Sequence, residues 1–143
     1  DTFRWKSENV STMEVTDSVS SYPGIESINI YGVQVPGQEG RAGMATLVLS
    51  EGSQFEPQAF YQYCAKHLPK YAVPVFLRLA QQAEITATFK LRKVDLQKQG
   101  YSPELCNDPL YVCDEKQGNY VALTQQSLVA QGFEPFQSVQ ENN

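Results

Sequence analysis

The stretch Ile85–Lys93, ITATFKLRK, decides how the fold of this chain is interpreted. It sets one lysine, Lys90, at the end of a short threonine-rich turn. Val94 and Leu96 follow at a spacing that predicts a short amphipathic helix ending at Gly100. A lysine held at such a junction can reach into a site on another domain. From spacing alone, however, most lysines in turns of this kind are solvated surface residues.

The residues before this turn predict a sheet covered by a helix. Ile25–Val35 and Arg41–Leu49 are rich in β-branched and aliphatic residues and are joined by a glycine-containing turn, so they predict an antiparallel hairpin. Val75–Leu79 predicts a third strand. Between them, a helix that begins near Pro57 carries its apolar residues on one face, at Phe60, Tyr63, Cys64, His67 and Leu68. We expect His67 to be packed or half-buried on that face rather than to act as a base.

The first residues predict a small protruding feature. Phe3–Trp5 and Glu8–Val10 are short β-prone runs separated by Lys6-Ser7, which fits a two-stranded hairpin. Ser11–Glu14 then has the form of a capping box that starts a helix. Beyond Pro103 the sequence predicts mostly irregular structure. The expected fold is therefore α+β: a small three-stranded sheet with flanking helices and an N-terminal two-stranded hairpin.

Composition excludes several classes of function. The formal net charge is −5, with 11 Lys+Arg against 16 Asp+Glu, which argues against nucleic-acid binding. Three cysteines and one histidine fit no zinc-binding spacing, so no metal site is predicted. No apolar run could span a bilayer and no signal pattern opens the chain, and free cysteines suit a cytoplasmic location. Because a motif begins at residue 1 without a methionine, we expect a piece of a longer protein.

Several ordered segments carry a resemblance to a known family. The chain resembles the C-terminal domain of the adenylate-forming acyl-CoA synthetases. Its Thr-Phe-Lys turn and Phe-Arg-Trp-Lys opening resemble the branch that contains the fatty acid transport proteins and very-long-chain acyl-CoA synthetases. The matching segments are Asp1–Thr12, Tyr31–Val33, Gly40–Ala45, Leu68–Arg78, Thr86–Lys90 and Asp108–Tyr111.

The resemblance implies a two-step ligase of which this chain is the mobile C-terminal domain. The catalytic residue would be Lys90, which contacts the reacting carboxylate and the α-phosphate region during adenylation. ATP and CoA would be substrates, with Mg²⁺ held by a larger N-terminal domain of the same protein. The domain would span residues 1–124, followed by a tail at 125–143, and would be inactive alone. The loop lining the CoA tunnel would comprise Trp5, Lys6, Ser7, Glu8 and Asn9.

Alternatives remain open at this stage. Trp5 is equally well a tunnel wall or an aromatic that anchors the loop to its own domain, and Glu8 is at least as well an exposed hairpin acid. Ser7 stands where the family usually has glycine, which leaves the close approach of the pantetheine arm in question. Arg78 is expected to support the lysine turn from the adjacent strand without taking part in the chemistry. The parent could associate peripherally with membranes, or serve fatty acid uptake as a binding or scaffolding module without ligase activity.

Overall fold

A computed structural model describes residues 1–81 and 92–136, and the predicted lysine turn lies outside them. The described chain forms two β-sheets flanked by helices. The strands are β1 (Thr2–Trp5), β2 (Glu8–Ser11), β3 (Ile25–Gln34), β4 (Arg41–Leu49), β5 (Phe76–Ala80), β6 (Leu110–Asp114) and β7 (Asn119–Ala122). The helices are α1 (Thr12–Val19), α2 (Pro57–His67), a 3₁₀ turn at Lys70–Ala72, α3 (Lys93–Gln99) and α4 (Gln125–Ala130).

The α+β class and the N-terminal hairpin are confirmed, but the main sheet is larger than expected. Its strand order is β3-β4-β5-β6-β7, with β4 and β5 parallel and the other neighbours antiparallel. The expectation of three strands was wrong because β6 and β7 form a second hairpin on the edge of β5. The side chains of Val112 and Tyr120 in this hairpin are almost fully buried in the core. The sheet therefore has five strands.

The predicted β3–β4 hairpin and the start of α1 are confirmed. Strand β4 lies between β3 and β5, and all of its residues except the first and the last are buried, which agrees with its continuous apolar sequence. The Ser11 side chain accepts a hydrogen bond from the Glu14 amide at 3.3 Å and so caps α1. His67 is exposed rather than half-buried, and its ring packs at a tilt against Tyr63 with ring centroids 4.2 Å apart.

Two glycines seat the small β1–β2 sheet against the large one. Gly32 of β3 and Gly43 of β4 are direct cross-strand partners. A methyl carbon on Gly32 would lie 2.8 Å from the Phe3 Cβ, and one on Gly43 would lie 3.1 Å from the Phe3 Cζ. Any larger residue at Gly32 would collide with Phe3. The glycine pair thus forms a slot for Phe3, and the hairpin packs flat against the sheet.

The start of the chain also contacts α3. The Lys93 Nζ donates to the Asp1 Oδ1 at 2.8 Å, and the Thr12 hydroxyl donates to the same carboxylate oxygen at 2.5 Å. Partial burial lowers the pKa of Lys93. This cluster joins Asp1, the first turn of α1 and the first residue of α3.

Residues after the predicted domain boundary pack on the core. Leu128 of α4 is fully buried, Phe133 lies with its ring centroid 5.4 Å from that of Phe76, and Phe136 lies 5.8 Å from Tyr101. The boundary at residue 124 itself stays a prediction. Among the described residues, no helix combines the length and apolarity needed to cross a membrane.

We expect α4 to unfold together with the rest of the domain. Leu128→Ala removes a fully buried side chain and should lower the free energy of unfolding by about 2–5 kcal/mol. Val129→Ala, at the neighbouring position that is 57% exposed, is the matched control and should change it by less than about 0.5 kcal/mol. Urea denaturation of the 143-residue chain measures both. Equally small effects would show that α4 is not part of the cooperative unit.

Candidate functional site

The β1–β2 hairpin turns through two residues in an unusual backbone conformation. Trp5 pairs with Glu8, so the connection is the two-residue turn Lys6-Ser7. Both residues have positive φ, +50° at Lys6 and +68° at Ser7. This is the pattern of a type I′ turn, in which Asn-Gly is favoured because side chains with a Cβ cost energy there. The turn therefore holds local backbone strain at two residues that both carry a Cβ.

The hairpin has a buried base and an exposed tip. Trp5 is only 3% exposed and belongs to the hydrophobic core. The Lys6 ammonium lies 5.7 Å from the centre of the Trp5 ring, within the range of a cation–π contact. Lys6, Ser7, Glu8 and Asn9 are exposed. The turn is thus a solvent-facing tip on a buried aromatic base.

A groove of about 550 Å³ lies beside this tip. Three of the five residues predicted for the CoA loop, namely Trp5, Lys6 and Glu8, line it. Ser7 and Asn9 do not, and the Asn9 side chain instead accepts a hydrogen bond from Arg4 at 3.3 Å. The remaining lining residues come from α2, the segment after it, β6 and the chain after α4, and they are Tyr61, Ala65, Leu68, Lys70, Tyr71, Val73, Val75, Cys113, Glu115, Gln131 and Phe133.

The walls of the groove are mainly aromatic and aliphatic, with charged groups at its rim. Lys70 pairs with Glu115 at 2.5 Å, and hydrogen bonding to that carboxylate raises the pKa of Lys70. Both side chains are largely exposed, so the pair contributes little to stability and can exchange partners. Lys6 adds a second cation. The groove thus carries two cations, Lys6 and Lys70, and two carboxylates, Glu8 and Glu115, so an anionic ligand with an apolar stem would displace Glu115 from Lys70.

Two of the three cysteines, Cys64 and Cys113, are not suited to nucleophilic chemistry. Burial raises the pKa of Cys113 to about 12, with further contributions from Glu115 and Asp114. Burial likewise raises the pKa of Cys64 to about 12, and Cys64 is a core residue as predicted. Both thiols are therefore neutral at physiological pH. Within residues 1–81 and 92–136, no group of three His, Cys, Asp or Glu side chains is placed to hold a metal ion.

Lys90 lies outside the described residues, so its assignment stays a prediction. Sequence analysis did not single out Tyr61, Lys70, Glu115 or Phe133 as site residues. Lys70 was quoted only as part of a matching segment. The others are distant in sequence from the hairpin, and no local pattern pointed to them.

Comparison with known proteins identifies the family. The family model of the AMP-binding enzyme C-terminal domain matches residues 14–90. The chain belongs to this family. This chain is 46% identical over 125 residues to long-chain fatty acid transport protein 2 of Rattus norvegicus. It is 47% identical over 125 residues to long-chain fatty acid transport protein 1 of Homo sapiens. Each match covers 87% of this chain but 20% and 19% of the relatives, so the chain spans about a fifth of their length.

Solved structures share the fold of this AMP-binding C-terminal domain. A Mycobacterium tuberculosis fatty acyl CoA synthetase matches with a TM-score of 0.57 at 24% identity, over 69% of this chain and 19% of that one. Coronafacic acid ligase from Pectobacterium brasiliense matches with a TM-score of 0.61 at 13% identity, over 79% and 21%. At these identities the likeness shows the fold alone. Together with the family model and the relatives, it confirms the resemblance found in the sequence.

We expect relief of the turn strain to stabilise the domain. Ser7→Gly removes the Cβ from a residue at φ +68° and should raise the free energy of unfolding by about 1 kcal/mol. Ser7→Ala keeps the Cβ and loses only the hydroxyl, so it should give no such gain. Chemical denaturation of the three proteins measures the difference. If Ser7→Ala stabilises as much as Ser7→Gly, the cause is not the backbone conformation.

Proposed function

We propose that this chain is the mobile C-terminal domain of a long- or very-long-chain fatty acyl-CoA synthetase. In the first step of the whole enzyme, the fatty acid carboxylate attacks the α-phosphorus of ATP, which gives an acyl-adenylate and pyrophosphate. In the second step, the CoA thiol attacks the acyl carbon and AMP leaves. The domain presents a different face to the N-terminal domain in each step. Support comes from the family membership and from relatives named as long-chain fatty acid transport proteins.

Lys90 is the proposed catalytic residue of the first step. Adenylation brings a carboxylate against a phosphate, so two anions must approach while negative charge builds on the bridging and pyrophosphate oxygens. A positioned ammonium reduces that repulsion. Lysine is a compact charge on a flexible stem, which suits a group delivered by a mobile domain and later withdrawn.

The groove beside the hairpin tip is the observation that supports a role of this domain in the second step. CoA combines phosphate groups with an extended pantetheine arm. Lys6 and Lys70 supply cations at the rim, and the aromatic and aliphatic walls supply surface against which the arm can pack. Trp5 contributes to the wall while it anchors the hairpin, so the two roles considered for it are compatible. Glu8 lies in the same groove, whereas Ser7 and Asn9 are exposed residues of the tip that do not line it, so their place in the proposed CoA loop rests on the family resemblance.

The other substrates and partners belong to the whole protein. The larger N-terminal domain of the same chain is the partner that binds ATP, holds Mg²⁺ and encloses the fatty acid. The C-terminal domain alone supplies one lysine and one loop, so we expect no turnover from it. The parent is cytoplasmic, and peripheral membrane association would give it access to long acids that partition into bilayers.

The test separates the two steps in the full-length protein. Lys90→Ala should slow fatty-acid-dependent ATP–pyrophosphate exchange by about a hundred- to a thousand-fold. Thioester formation from preformed acyl-adenylate and CoA should stay near the unaltered rate. Lys98→Ala, which removes an exposed lysine from α3, is the matched control and should change neither step.

Conversely, Lys6→Ala should raise the KM for CoA several-fold in the second step and leave exchange unchanged.

Two results would overturn the proposal. If the unaltered full-length protein shows no exchange with any fatty acid, it is not a ligase, and a binding or scaffolding role in fatty acid uptake takes its place. If Lys90→Ala leaves exchange intact, the protein is a ligase whose adenylation does not depend on Lys90.

A further inference from the structure

A buried cluster of an ion pair and a glutamine joins three segments: β5, the end of α3 and the residues just before β6. Arg78 of β5 is 4% exposed. Its Nε donates to the Asp108 Oδ2 at 2.8 Å, and its Nη1 donates to the Gln99 Oε1. Asp108 precedes β6, and Gln99 is the last residue of α3. Because the side chains of Arg78 and Asp108 are 5% and 6% exposed, neither can touch a substrate directly.

A gain in folding stability does not explain why this ion pair is buried. Taking two charges out of water is costly, and well-packed apolar residues often serve a core better than an ion pair does. What the pair adds is geometric: a guanidinium holds its partners in fixed directions. Here those directions fix the end of α3 relative to β5.

Helix α3 depends on such contacts for its position. It has seven residues, too few to be stable alone in water. Leu96 is fully buried, Gln99 is bonded to Arg78 at the C-terminal end, and Lys93 is bonded to Asp1 at the N-terminal end. Packing and these two polar contacts therefore set where the helix lies.

We propose that Arg78, acting through Gln99 and braced by Asp108, is a positioning residue for the adenylation step. Lys90 precedes Arg92, the N-cap of α3, by two residues in sequence. Two residues of chain span at most about 7 Å, so the position of α3 limits where the backbone of residue 90 can be. The inference rests on the proposed function of Lys90, but its structural evidence comes from Arg78, Gln99 and Asp108.

Gln99→Ala is the sharpest test because it removes the bond to α3 and leaves the Arg78–Asp108 pair in place. In the full-length protein it should slow ATP–pyrophosphate exchange at saturating substrates by about tenfold, since small misplacements of a catalytic group are costly. The KM for ATP should change little. Thioester formation from preformed acyl-adenylate should stay within about twofold, because that step does not use Lys90.

Two further variants separate positioning from general damage. Gln99→Glu keeps an oxygen acceptor for Arg78 and should restore most of the exchange rate. Gln97→Ala removes a partly buried glutamine from the same helix that does not bond to Arg78 and should behave like the unaltered protein. Hydrogen exchange of the α3 amides should accelerate in Gln99→Ala alone.

The outcomes distinguish this inference from the proposed function. If Lys90→Ala abolishes exchange but Gln99→Ala matches Gln97→Ala, the positioning role is wrong and the catalytic role of Lys90 stands. If Gln99→Ala slows both steps equally, the residue is merely structural and the inference fails. If Lys90→Ala has no effect, the proposed catalytic role fails and the positioning role fails with it.

Discussion

The contact of Phe3 with the paired glycines Gly32 and Gly43 is the constraint on which the rest of the candidate site depends. The groove has walls from two separate sheets, and their relative position is set where β1 meets β3 and β4. A side chain at Gly32 would push the hairpin away and open the groove on one side. Local backbone packing, far from any charged group, therefore determines whether Lys6 and Lys70 can act on one ligand.

The hairpin tip combines rigidity with strain. Its base is held by Phe3, Trp5 and Val10, all buried, while its two turn residues adopt a conformation that L-amino acids disfavour. Such a turn is maintained only because the packing around it holds its backbone in place. Lys6 and Ser7 therefore keep the turn geometry although neither is the glycine that this conformation favours. The buried base thus holds the backbone of the tip in one conformation, while its side chains stay exposed to solvent.

Much of the fold could be predicted from local pattern, and much of the site could not. The bounds of β4 follow from its continuous apolar run and the turn residues before it, and the Ser11 cap follows from capping chemistry; both act within a few residues. The β6–β7 hairpin was missed although Leu110–Asp114, a glycine-containing turn and Asn119–Ala122 have the required composition, because the preceding Pro-rich segment favoured irregular structure. Tyr61 and Phe133 reach the hairpin only through the tertiary fold, and pairings of that kind leave no mark on local sequence.

In the cluster of Asp1, Thr12 and Lys93, Asp1 contacts two helices. It is bound to α3 by one exposed ion pair with Lys93 and to α1 by hydrogen bonds from the Thr12 hydroxyl and amide. Pairs of this exposure are weak and are screened over about 8 Å at physiological ionic strength. The link between Asp1 and α3 is therefore weak, so it can break at small cost while the glycine slot and the buried core stay intact.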